Sequence, residues 1–404
     1  MARSFFLYVF AVLFLVMWAL SVYAIALPAL PGVGTLVAET FSELWETRAV
    51  PVSQAPDALY KAVEAEMLYA SDVRDKSKEP FAAIQIAQGK RETRSFLYVK
   101  DRDGFLHRGS FYQVEDSRIT EYAKLLRSLR ERLPQETALL FVGGPPRYAA
   151  GQTPVYGGYP VDRRSGRNME ALQLQLFENG VDTLDLNYTQ VSALDREALF
   201  YKTDSRWTTE GAFLAFQAIA DTLEGRYGLP VDPGGVFRDR QNYTATRAPD
   251  FILGDMGKST GAFFSGRDAF IHLAPAVKTA FSAAPYGKEA ETVQGRFEDV
   301  LSVKAAGEAQ AFRSYLGGPE PQIRIQNRLA ETGPKVLLIG DKSFAPVGAF
   351  LAAAVSELTV VTPGTGSAPS LSRLLREGSY DAVIIGCQPG SIENAFFSYF
   401  ALSE

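Results

Sequence analysis

With 404 residues, 47% of them hydrophobic and 22% charged, the chain has room for two or three domains, or for one large domain with an extension. Its net charge of -5 is mild and gives no reason to expect a nucleic-acid partner, which usually requires a basic face. A single cysteine, Cys387, and only two histidines, His107 and His272, exclude an intramolecular disulfide, a cysteine metal cluster and a multi-histidine metal site, so no metal or cofactor is expected.

The N-terminus reads as a membrane segment. No residue from Ser4 to Ala38 is charged, and Phe5 to Leu27 is almost continuously apolar. Such a run crosses a hydrocarbon core of about 30 Å as a helix. Arg3 precedes it and Glu39, Glu43 and Glu46 follow, which predicts a cytoplasmic N-terminus and an extracytoplasmic remainder. A cleaved signal peptide, cut after Ala24-Ile25-Ala26, is the competing reading, but the run exceeds the usual apolar core of about 7–15 residues. Residues 1–28 are therefore expected to be a transmembrane anchor. Residues 29–90, opening with Pro31, Gly32 and Gly34, are expected to form a membrane-proximal linker and a helix over Ala55 to Tyr69.

Residues 91–404 read as one extracytoplasmic domain. Ser95 to Val99 is a predicted strand, and Asp101-Arg102-Asp103-Gly104 a turn. Ile119, Tyr122, Leu125, Leu126, Leu129 and Leu133 recur at helical spacing. Ala138 to Val142 is a short apolar strand, Met169 to Asn179 a helix, Val181 to Leu186 a strand and Thr209 to Tyr227 a long helix. Residues 230–330 are irregular in pattern and read as an insertion beside the sheet. Beyond them, Val336 to Ile339, Leu358 to Val361 and Ala382 to Gly386 are strands, with helices at about 346–356 and 369–377 between them. Short apolar strands alternating with amphipathic helices imply an α/β fold with a parallel sheet covered on both faces. Cys387 ends the last strand and reads as a buried, inert thiol.

Ligands bind beyond the carboxyl ends of such strands. The strand 336–339 runs into Gly340-Asp341-Lys342-Ser343-Phe344-Ala345-Pro346, which places Ser343 at a strand-to-helix turn. Pro346 suits the first helical turn, and the free N–H groups there can stabilise an oxyanion. An acyl-transfer serine needs this geometry, although small polar residues also occupy such turns simply as helix caps.

The segment Phe200-Tyr201-Lys202-Thr203-Asp204-Ser205-Arg206-Trp207-Thr208-Thr209-Glu210-Gly211-Ala212 resembles the signature of the DHHW family and of the related SGNH-hydrolase-like domain of alginate O-acetylation proteins. Other stretches agree in order: residues 180–186, Gly257 to Gly261, Tyr315 to Gly318, Val336 to Ala345, and Asp381 to Ile384. The resemblance implies an SGNH-like fold over roughly 90–400, with Ser343 in the nucleophile position and Asp204 in that of the acid orienting a histidine. Tyr201, Trp207 and Gly211 match the motif's frame. Asp341 and Lys342 stand where the family often has one Asp before the serine.

The chain departs from the pattern at the general-base position, which is Arg206. A serine hydroxyl needs a base, and a guanidinium stays protonated. Arg206 has two readings, a bidentate contact to an anionic ligand or a salt bridge with Asp204 or a nearby Glu. The resemblance implies a role in O-acetylation of cell-surface polysaccharide, with conventional Ser-His-Asp catalysis in doubt. The alternative is an inactive glycan-binding or scaffold partner of a membrane-bound O-acyltransferase.

Overall fold

A computed structural model of the chain describes residues 71–93, 96–110, 118–286, 292–318, 321–364 and 368–401. The expected anchor and the helix over 55–69 lie outside these residues. Among the described residues, no helix is long and apolar enough to cross a membrane. The chain divides into two compact units, whose described parts are residues 71–90 with 259–264, and 91–258 with 265–401.

The smaller unit contains helix α1 (Ser71–Ala87). The Glu79 carboxylate accepts the amides of Ala262 at 2.7 Å and Phe263 at 2.9 Å.

The larger unit opens with a small antiparallel sheet of β1 (Glu92–Thr93), β2 (Tyr98–Lys100) and β3 (Leu106–Arg108). Helix α2 (Ile119–Arg132), strand β4 (Ala138–Gly143), helix α3 (Arg164–Glu178), strand β5 (Asp182–Asp185) and helix α4 (Thr209–Tyr227) follow. An antiparallel ribbon of β6 (Tyr243–Ile252) and β7 (Asp268–Pro275) flanks α5 (Asp255–Thr260). Then come β8 (Phe281–Pro285), β9 (Val293–Gly295), β10 (Gln322–Asn327), β11 (Lys335–Gly340), helix α6 (Ala345–Ala354), β12 (Glu357–Val361), helix α7 (Leu371–Glu377) and β13 (Ala382–Cys387).

The main sheet has eight strands in the order β5-β4-β13-β11-β12-β10-β8-β9. From β5 to β12 neighbours are parallel; β10, β8 and β9 extend that core antiparallel. Two expectations are corrected here. The sheet is mixed rather than wholly parallel, and part of the 230–330 stretch belongs to it instead of lying beside it. The physical reason is that antiparallel strands such as Gln322-Ile323-Arg324-Ile325 alternate polar with apolar residues and carry no continuous apolar run.

Helices cover both faces. Helices α4 and α6 pack on one, where Phe350 meets the rings of Phe213, Tyr315 and Tyr243 at 5.3, 5.5 and 5.8 Å. Helices α2, α3 and α7 pack on the other, with Phe396, Phe397 and Phe400. Adjacent strands β11 and β13 thus lead to opposite faces, which opens a crevice at their carboxyl ends. Phe344 closes the bottom of this crevice against two glycines. A methyl group at Gly386 would lie 2.3 Å from the Phe344 ring, and one at Gly340 would lie 2.6 Å from its Cβ.

Gly386→Ala should therefore lower the unfolding free energy by about 1–3 kcal/mol through overpacking. Urea denaturation followed by tryptophan fluorescence checks this; an unchanged midpoint would mean that the Phe344 ring can move aside.

Candidate functional site

The loop 200–208 is built to hold its shape. Phe200 and Trp207 pair as an antiparallel bridge, and Tyr201 N–H donates to the Arg206 carbonyl at 3.4 Å. Thr208 caps α4 by accepting the Gly211 amide at 3.1 Å, and its own amide donates to Leu199 O at 2.8 Å. Asp268 on β7 accepts the amides of Lys202 and Thr203 at 2.7 and 2.9 Å and the Thr203 hydroxyl at 2.6 Å. Arg147 donates to Lys202 O at 2.9 Å and to Leu106 O at 2.9 Å. Gly254 lets α5 approach closely, because a methyl group there would lie 2.4 Å from the Asp204 Cβ.

Asp204 and Arg206 form a buried ion pair. Arg206 Nε donates to Asp204 Oδ1 at 2.7 Å and Nη2 to Oδ2 at 2.8 Å. Asp204 also accepts the amides of Arg206 at 3.0 Å and Asp255 at 2.8 Å. The guanidinium lies 3.5 Å from the Phe312 ring centroid, and its Nη2 is 3.6 Å from the Asp255 carboxylate. Of the two readings of Arg206, the structure takes the salt bridge. Burial pushes the Asp204 carboxyl up, but the hydrogen bonds and charge of Arg206 outweigh it, so the group titrates below its usual value of 3.8. Burial likewise pushes Arg206 down, and Asp204 more than offsets that.

Ser343 follows β11 by three residues and is 5% exposed. The Trp207 indole Nε1 donates to the Ser343 carbonyl at 2.6 Å, and its ring lies 5.1 Å from that of Phe344. This contact ties the 200–208 loop to the β11 turn. Asp341 faces the other way. It accepts the Ser343 amide at 2.8 Å, the Gln388 amide at 2.6 Å and the Ser391 hydroxyl at 2.6 Å, joining the ends of β11 and β13. Complete burial pushes the Asp341 carboxyl up, against hydrogen bonds that include the Ser343 side chain.

Ser343, Lys342, Arg206, Trp207 and Tyr201 line one pocket of about 30 Å³. That space holds little more than a water or two. Asp204 stands behind Arg206, and Asp341 lies beneath the serine turn; neither lines the pocket. Sequence reasoning missed Phe312, Phe270, Tyr315 and Thr209, which complete the wall. Thr209 and Tyr315 belong to segments noted for other reasons. Phe312 and Phe270 come from irregular sequence and carry no local signal.

Neither histidine lines the pocket. His107 Nε2 is 2.8 Å from Asp101, which also accepts Arg196 at 2.8 Å. His272 Nε2 is 2.6 Å from the Ser302 hydroxyl, and its ring stacks on Tyr315 at 5.7 Å. His107 lies on β3. Among the described residues no group of His, Cys, Asp and Glu is arranged to hold a metal ion.

Asp204→Asn should destabilise the protein by about 3–5 kcal/mol, because it leaves a buried guanidinium without its counter-ion. Since Asp204 titrates below 3.8 when folded, its contribution is present above that value and lost as pH falls through the folded pKa. Urea-unfolding free energies measured from pH 6 to pH 2.5 should show that fall in the parent and its absence in Asp204→Asn.

Residues 99–256 match the family model described as SGNH hydrolase-like domain, acetyltransferase AlgX. That stretch contains the 200–208 loop. A DHHW family protein from Eubacterium siraeum is similar in structure, with a TM-score of 0.58 at 18% identity over 76% of this chain and 96% of that one. PatB1 from Bacillus cereus, solved with a sulfonyl adduct, has a TM-score of 0.59 at 15% identity over 76% and 97%. The O-acetyltransferase domain of Pseudomonas putida AlgJ has a TM-score of 0.41 at 16% identity over 76% and 93%. No curated protein sequence matches the chain significantly. Residues 99–256 are therefore similar to an SGNH hydrolase-like domain of the AlgX type, and the chain shares its fold with the DHHW family protein and with PatB1.

Proposed function

We propose that this protein serves in the O-acetylation of cell-surface polysaccharide, outside the cytoplasmic membrane, and that its small Ser343 pocket takes at most the acyl group of an acylated glycan, without a working Ser-His-Asp triad. The observation that carries this reading is the Asp204–Arg206 ion pair. The group that would orient an imidazole is bound instead to a guanidinium, which cannot take a proton from Ser343. The pocket walls suit a binding role. Tyr201, Trp207, Phe270 and Tyr315, all nearly buried, and Phe312, partly so, enclose it with aromatic rings, and Lys342 and Arg206 supply cationic groups. The apolar run Phe5 to Leu27 would anchor the chain, beside a membrane-bound O-acyltransferase that delivers the acyl group.

A second reading, an active acyltransferase or esterase, draws on one observation. Asp341 is buried beside Ser343 and hydrogen-bonded to it, so a carboxylate is the nearest alternative base.

Acetyl release from p-nitrophenyl acetate separates the two. The full-length parent is compared with Ser343→Ala and Arg206→His. Losing a triad base typically costs on the order of 10⁶ in rate, so partial restoration is readily seen. The parent should match Ser343→Ala, while Arg206→His should gain about tenfold or more in turnover that a second Ser343→Ala change removes. Turnover by the parent that depends on Ser343 would sink the binding reading in favour of the active one.

A further inference from the structure

The ion pair with Asp204 does not use up Arg206. A guanidinium carries five N–H donors in a planar fork. Nε–H and one Nη2–H go to Asp204 at 2.7 and 2.8 Å, and Nη2 lies 3.6 Å from Asp255. The two N–H groups of Nη1 remain. Among the described residues they meet no hydrogen-bond partner, although the side chain is only 11% exposed. Planarity sets where they point. Asp204 holds the Nε–Nη2 edge from behind the pocket wall, so Nη1 lies on the opposite side of the group, toward the pocket that Arg206 lines.

The pocket itself supplies no anion for those donors. The residues that line it include no carboxylate, and a second cationic residue, Lys342, stands among them. Its buried polar groups are committed elsewhere. The Trp207 indole donates to Ser343 O at 2.6 Å, and the Tyr315 hydroxyl donates to Leu273 O at 3.0 Å.

The remaining wall fixes the size and the other end of a ligand. Phe270, Ala311, Phe312, Ala345 and Pro346 are apolar. The space of about 30 Å³ admits a few heavy atoms and excludes a sugar ring.

We propose that the Ser343 pocket is a receptor for a free short-chain carboxylate, such as acetate or propionate, held as the anion on Arg206 Nη1 with its alkyl end against the apolar wall. The inference rests on the binding reading above and names the ligand as an acid rather than an ester. An ester offers these donors one carbonyl oxygen and no charge. A carboxylate offers two oxygens and a full charge, and hydrogen bonds between ionised partners are roughly twice as strong as neutral ones. Asp204 cancels part of the Arg206 charge from behind, so the Nη1 donors and Lys342 together meet the charge of the ligand.

The test is calorimetric titration of the full-length chain with acetate, with methyl saturation-transfer NMR on the same samples. Acetate should bind with a Kd of about 1 mM, as suits a ligand of four heavy atoms. Its uncharged isostere acetamide, and methyl acetate, should bind about tenfold more weakly or worse. Glucuronate carries the same carboxylate on a sugar ring and should be excluded, which separates a small free acid from the carboxylate of a larger molecule. Arg206→Lys keeps a cation beside Asp204 but lacks the outward N–H pair, and should weaken acetate binding about tenfold or more. Asp204→Asn/Arg206→Met removes both charges together, leaves neither buried alone, and should abolish binding while its urea midpoint shows the chain folded. A parent that does not bind acetate, acetamide or glucuronate binding as tightly as acetate, or a folded Arg206→Lys variant that binds like the parent would overturn the proposal. Ester turnover keeps the two readings apart. If Arg206→His gains Ser343-dependent turnover and the parent ignores acetate, this inference falls alone. If the parent turns over ester through Ser343 and also binds acetate, the non-catalytic reading falls and the carboxylate site stands.

Discussion

The site is organised around one buried ion pair. Asp204 and Arg206 are two residues apart, and both are almost wholly removed from water. Neither charge is tolerable there alone, and together they satisfy each other through two short hydrogen bonds. The pair dictates the loop's chemistry. Asp204 spends its oxygens on Arg206 and on two amides, so it has nothing left with which to hold a histidine. Arg206 turns Nε and Nη2 to carboxylates and its face to Phe312.

Around that pair the protein uses buried polar groups as clamps. Asp268 gathers three donors from Lys202 and Thr203, and Arg147 gathers two carbonyls from separate segments. Trp207 then reaches across to the backbone of Ser343. Each clamp joins residues far apart in sequence. The serine turn is held in the same way from the β13 side, by Asp341. Ser343 thus sits between two rigid supports, one from each side of the crevice. A pocket so supported keeps its shape with a guanidinium paired to Asp204.

The parallel core was legible because its strands are buried on both faces and read as continuous apolar runs, as in Val336 to Ile339 and Ala382 to Gly386. Helix α4 was legible from Thr209 to Tyr227, with Thr208 to cap it and Gly228 in the left-handed conformation to end it. Strands β8, β9 and β10 were not, because half-buried antiparallel strands have weak patterns and the partners of β10 are remote in sequence. The pocket was half legible. Tyr201, Arg206, Trp207 and Ser343 announce themselves by motif, whereas Phe270 and Phe312 reach the wall only through folding of the irregular stretch.

By itself, the sequence determined that a serine follows a central strand, which local chemistry and spacing dictate; that Arg206 stands in a general-base position is what the resemblance implies. Only the tertiary structure decided what that arginine does. An ionic ligand and Asp204 were equally good partners on paper, and the choice fell to the carboxylate because burial makes an unpaired charge too costly.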